Sequence, residues 1–226
     1  MTTVALIGPD GSGKTTIGRR LEETHPTLIK YVYMGINPEA SNHALLTTRV
    51  IRAVRRMLGK KTDKGGPYDP ERKKSHSNKT KQTLSYFKSS LSLANRLAEE
   101  WYRQAVAWYY RKLGYVVVFD RHFFADYYAY DINSDAGHRS PLRRIHGWLL
   151  KYYPQPDLVI FLDAPASVLY ARKGEGSIAL LEQRRLDYLQ IGKLVKHFEV
   201  VDASQSLGSV EQDVLRVIQS FQRSLC

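Results

Sequence analysis

Nine residues near the start of the chain constrain it most. Gly8-Pro9-Asp10-Gly11-Ser12-Gly13-Lys14-Thr15-Thr16 fits the phosphate-loop pattern G-x-x-x-x-G-K-[ST]. An apolar run, Thr3 to Ile7, precedes it, and a helical pattern from about Gly13 to Glu23 follows. Glycines let backbone N–H groups turn toward a phosphate chain, and the helix N-terminus adds positive potential. Lys14 is placed to reach β- and γ-phosphates, and the Thr15 hydroxyl to ligate Mg²⁺. With Gly8, Asp10, Gly11, Ser12, Gly13 and Thr16, these residues predict a site for ATP. A chance glycine-rich turn is the rival explanation, and the strand before and helix after it argue against that.

The remaining chain alternates strands and helices. Strands are predicted at Leu28–Tyr33, Tyr115–Phe119, Leu158–Leu162 and Glu199–Val201. Helices are predicted at about 82–113, 141–151, 166–172, 178–196 and 210–221. Residues 45–58 carry apolar side chains at helical spacing with Arg49, Arg52, Arg55 and Arg56 between them, an amphipathic basic helix. Each strand is apolar throughout, which predicts an α/β fold with a parallel sheet covered on both faces. At 226 residues one domain is expected, spanning 1–226, with a basic helix-loop excursion at about 43–81 and a lid at about 172–180.

Hydrophobic residues make up 43% and charged residues 25%, which excludes a disordered chain. The one cysteine, Cys226, can form no internal disulfide and lacks the prenylation pattern. No secretory signal and no membrane-length apolar run is visible, so the expectation is a cytoplasmic protein. The formal charge of +12 is uneven. From Arg49 to Lys81 there are 12 basic and 3 acidic residues, a surplus of 9; elsewhere 22 basic face 19 acidic. That segment predicts contact with an anionic surface or is a solvated basic loop. No dedicated nucleic-acid motif is present.

Asp120-Arg121-His122 ends the third predicted strand, where open parallel sheets bind ligands. Asp120 is a candidate for Mg²⁺ or for orienting a nucleophile, and Arg121 for clamping a phosphate. A strand-end ion pair would also explain them. The four variable loop positions, Pro9 to Ser12, contain no base. Cations for phosphoryl transfer must therefore come from elsewhere, and Arg172-Lys173 in a short lid is the natural supplier. A solvated basic turn is the alternative. The aromatic run Phe123–Tyr130, Tyr128 included, could stack on a planar ligand or fill core. The seven histidines show no zinc spacing.

Together these segments resemble the thymidylate kinase family of nucleoside monophosphate kinases. The resemblance rests on the loop with Asp10, on Ala94-Asn95-Arg96, on Phe119-Asp120-Arg121-His122, on Pro156 to Asp163 with Arg172 and Arg184 to Leu189, and on Val201-Asp202-Ala203-Ser204. It implies a three-layer P-loop NTPase fold, with five strands ordered 2-3-1-4-5 and helices on both faces. It implies ATP and Mg²⁺ held by Lys14 and Thr15, and Asp10 near the acceptor's sugar hydroxyl. Asp120 and Arg121 would act at the acceptor phosphate, and Arg172 as lid cation. Arg96 would meet the acceptor base, and Ala203 would lie near the donor base. A homodimer is also implied. dTMP is the first expected acceptor.

Three stretches depart from the family's pattern. Tyr33-Met34-Gly35-Ile36-Asn37-Pro38 stands where an Arg usually grips the acceptor phosphate. Ser92 replaces a stacking ring, and Phe123-Phe124-Ala125 replace polar residues. A sugar, polyol or lipid-linked acceptor is the second expectation, and an ATP-switched membrane or nucleic-acid binder the third.

Overall fold

The structure is a computed structural model that describes residues 2–35, 42, 43, 45, 57, 95, 98–122, 152–174 and 176–225. The basic excursion apart from residues 43, 45 and 57, the helix predicted at 141–151, and the candidate residues Arg96 and Tyr128 lie outside the described residues.

Five parallel strands form one sheet: β1 (Thr3–Ile7), β2 (Ile29–Tyr33), β3 (Val116–Asp120), β4 (Leu158–Asp163) and β5 (Phe198–Asp202). Their order is β2-β3-β1-β4-β5. Side chains alternate between the two faces of a strand, and both faces of this sheet are covered. Val4, Leu6, Val116, Val118, Leu158 and Ile160 bury on one face against Ile17, Leu21, Leu169, Val214 and Ile218. Ala5, Ile7, Val117, Phe119, Val159 and Phe161 bury on the other against Ala107, Tyr188 and Ile191. This double burial explains why the strands are apolar throughout rather than alternating.

The helices α1 (Lys14–Thr24) and α5 (Leu207–Ser224) cover the first face. Residues 98–112, α2, and α4 (Ile178–Ile191) pack on the second. A shorter helix, α3 (Ala166–Lys173), precedes α4 in the chain. The architecture is the three-layer P-loop NTPase fold.

Two of the helix bounds that differ from the sequence expectation have a local cause. α4 stops at Ile191, not near 196, because Gly192 tightens the last turn with its N–H on Leu189 O at 3.2 Å. Residues 193–197 then bring the chain back into β5. α5 starts at Leu207, before the predicted 210, because the Ser206 side chain caps it by accepting from the Ser209 N–H. No helix among the described residues is long and apolar enough to cross a membrane.

Candidate functional site

The sheet order sets the site. β1 lies between β3 and β4, so the loop after β1 opens beside the carboxyl ends of both. Leu6 pairs with Asp120, and the Arg121 N–H donates to Leu6 O at 3.1 Å. Residues 114 and 115 positions apart in sequence thus share one crevice.

The loop has the form its glycines allow. Gly11 takes φ +89°, and a Cβ there would lie 2.7 Å from the Leu169 carbonyl oxygen, so no other residue fits without moving α3. Lys14, buried, donates to the carbonyls of Gly8 and Pro9 at 2.7 Å each and to Ser12 Oγ at 3.2 Å. Its ammonium is therefore held inside the loop. A cavity of about 380 Å³ opens beside it, lined by Gly11, Ser12, Gly13, Thr16, Arg172 and Ala203 among others.

Asp10 is the electrostatic centre. Arg121 Nη2 donates to Asp10 Oδ1 at 2.8 Å, Lys173 Nζ stands 3.6 Å from Oδ1, and Arg184 Nη1 is 3.4 Å from Oδ2. Burial pushes the carboxyl pKa up, but Arg121, Lys14 and Lys173 outweigh it and hold it at about 2. Arg121 itself has φ +67°, rare for a residue with a side chain. Gly35 makes room for it: a Cβ there would sit 2.7 Å from Arg121 Cδ.

Asp120 is fully buried. Its Oδ2 accepts from Thr15 Oγ1 at 2.5 Å and from the Tyr31 hydroxyl at 2.8 Å. Its Oδ1 is buried and has no hydrogen-bond partner among the described residues. An orphaned carboxylate oxygen beside a hydroxyl oxygen is a hard-oxygen pair suited to Mg²⁺.

Arg172 takes a different place from Lys173. Its guanidinium donates to Ala203 O at 2.8 Å and Ser204 O at 3.4 Å. Arg172 and Lys173 both line the cavity, and Lys173, like Arg184, also reaches Asp10. In the sequence Arg184 belongs to a segment that carries the resemblance, but no spacing rule ties it to Asp10, 174 residues away. His122 packs between the Phe119 and Tyr153 rings, centroids 5.3 and 5.5 Å away, and burial pushes its pKa down to about 3. A ring kept neutral in this way belongs to the core.

No protein-family model matches the chain. Curated archaeal proteins named probable thymidylate kinase are similar to it. That of Archaeoglobus fulgidus is 34% identical over 117 residues, 48% of this chain and 55% of the relative. That of Sulfolobus acidocaldarius is 28% identical over 101 residues, 40% of this chain and 52% of the relative. Probable thymidylate kinase 1 of Saccharolobus solfataricus is 29% identical over 113 residues, 46% and 54%. The chain spans about half the length of the curated relatives it matches. Over the matched segments, the chain's sequence is similar to these archaeal proteins.

Proposed function

We propose that this chain is an ATP-dependent kinase that transfers the γ-phosphoryl group of ATP to a nucleoside monophosphate, dTMP being the first candidate. The observation that carries this is the gathering of Arg121, Lys173 and Arg184 on the single carboxylate of Asp10, with Lys14 close enough to bias its ionisation. Four cations around one anion leave a surplus of three beside the phosphate loop. ATP with an acceptor that brings its own phosphate supplies the matching negative charge. A neutral sugar would leave more of it unmatched. The names of the archaeal relatives make dTMP the first acceptor to test.

In this mechanism Asp10 stands in for the phosphate until substrates arrive. Phosphate oxygens then compete for its cations. Lys14 exchanges the Gly8 and Pro9 carbonyls for β- and γ-phosphate oxygens. Arg121, at the junction of β3 and the loop, faces the acceptor phosphate. Lys173 and Arg184 stabilise charge on the transferred group, as pre-oriented cations do best in a site that excludes water. Thr15 and Asp120 would hold Mg²⁺, which supplies charge neutralisation when bound. Arg172 and Ala203 border the cavity assigned to the ATP base.

One observation favours a second acceptor class. The backbone after β2 approaches Arg121 at Gly35, within the Tyr33 to Pro38 stretch that departs from the family's Arg-bearing pattern. The test is ADP formation by purified protein with ATP and Mg²⁺ against dTMP, dUMP, other nucleoside monophosphates and simple sugars. ADP that depends on dTMP supports the proposal. ADP that depends on a sugar, with every nucleotide silent, replaces it with the second class.

A further inference from the structure

Tyr31 lies in β2, a strand whose sequence pattern carries no chemistry. Its partner across the ladder is Val118, two residues before Asp120 on the same face of β3. The ring is buried, and its hydroxyl spans the remaining distance to Asp120 Oδ2 at 2.8 Å. α1 is shaped around that ring. A Cβ at Gly18 would sit 2.7 Å from Tyr31 Cδ2 and Cε2, so glycine there lets the ring pass. Thr15, one helical turn earlier on the same face of α1, donates to the same carboxylate oxygen.

Two donors therefore share Oδ2, and Oδ1 keeps its lone pairs. Thr15 has only one hydroxyl proton, and Oδ2 takes it. What Thr15 Oγ1 can offer beyond that bond is lone pairs alone. With one donor removed, the carboxylate can turn and present Oδ1 to Thr15 instead.

We propose that Tyr31 is a positioning residue: by fixing Asp120 Oδ2 it presents Asp120 Oδ1 and Thr15 Oγ1 together to the divalent cation that accompanies the nucleotide. This rests on the Mg²⁺–ATP part of the function proposed above. Tyr31 itself touches neither nucleotide nor cation.

The test uses the full chain with Mn²⁺ in place of Mg²⁺ and a saturating non-hydrolysable ATP analogue, with free Mn²⁺ read by electron paramagnetic resonance. Tyr31→Phe removes only the hydroxyl. It is expected to weaken Mn²⁺ binding about tenfold, the scale of one hydrogen bond to a charged group. Analogue affinity without metal should stay unchanged, which also reports an intact loop. In an Asp120→Asn background, Tyr31→Phe should cause no further loss, because its effect passes through the carboxylate. Unchanged Mn²⁺ affinity in Tyr31→Phe, or an equal loss in the Asp120→Asn background, would overturn the positioning role. If the unmutated chain binds the analogue but no Mn²⁺, the Mg²⁺–ATP proposal falls first, and this one with it.

Discussion

Arg185 grips Asp163 with two hydrogen bonds, Nε to Oδ1 at 2.5 Å and Nη2 to Oδ2 at 2.9 Å. This fork ties α4 to the carboxyl end of β4. Its sequence neighbour Arg184 is thereby held 3.4 Å from Asp10. Lysine cannot reproduce a two-pronged bond to a carboxylate. Arg185→Lys should therefore lower kcat about tenfold with little change in ATP-analogue affinity, a loss on the scale of one charged hydrogen bond. Steady-state kinetics beside analogue titration would check this.

Asp10 carries a pH signature. Its pKa is about 2 in the folded chain against the ordinary 3.8. A depressed carboxyl pKa stabilises the fold above the unfolded value and loses that contribution as pH falls through the folded one. The contribution should be full above about pH 4, amount to about 2 kcal/mol, and fade toward pH 2. Asp10→Asn should lower stability at pH 7 by a similar amount, because Arg121, Lys173 and Arg184 then face one another without their carboxylate. Urea unfolding of both proteins at pH 7 and near pH 2 would show a gap that closes in acid.

His122 acts in a different window. Burial lowers its pKa from 6.5 to about 3, so the folded chain resists a proton that the unfolded chain accepts. Stability is fully present above about pH 6.5 and is lost progressively as pH falls toward 3, with a slope of up to about 1.4 kcal/mol per pH unit. His122→Phe should flatten the decline between pH 6.5 and 4, measured by thermal unfolding across that range.

Lys14→Ala and Arg121→Ala each remove a cation that transfer requires. Both should lower turnover by at least about 10²–10³-fold, the range seen when one oriented electrostatic group is deleted. Neither side chain contributes to the two apolar clusters that hold the sheet. Circular dichroism should therefore report an unchanged fold, and near-normal turnover in either variant would remove that residue from the mechanism.

The sequence shows the sheet clearly because both faces are buried. A run such as Val116-Val117-Val118, β-branched throughout, favours a covered strand. The loop residues Gly8 to Thr16 are equally legible, since the phosphate cradle is a local structure with a fixed spacing. The convergence of Lys173 and Arg184 on Asp10 is not local. It depends on where α4 docks, which Asp163 and Arg185 decide. Tyr31 was hidden for the same reason: as a strand residue it looks like any other buried ring, and only the register with Val118 brings its hydroxyl to Asp120. The end of α4 was missed because Leu194 and Lys196 continue a plausible helix pattern that the return into β5 interrupts.

The central claim is transfer of a phosphoryl group to a nucleoside monophosphate, and ³¹P nuclear magnetic resonance tests it most directly. Protein, ATP, Mg²⁺ and dTMP would be followed in one tube. Transfer predicts dTDP resonances that grow in step with ADP, without inorganic phosphate. ADP accompanied by inorganic phosphate, with dTMP unchanged, would contradict it and mark the chain as a nucleotide hydrolase.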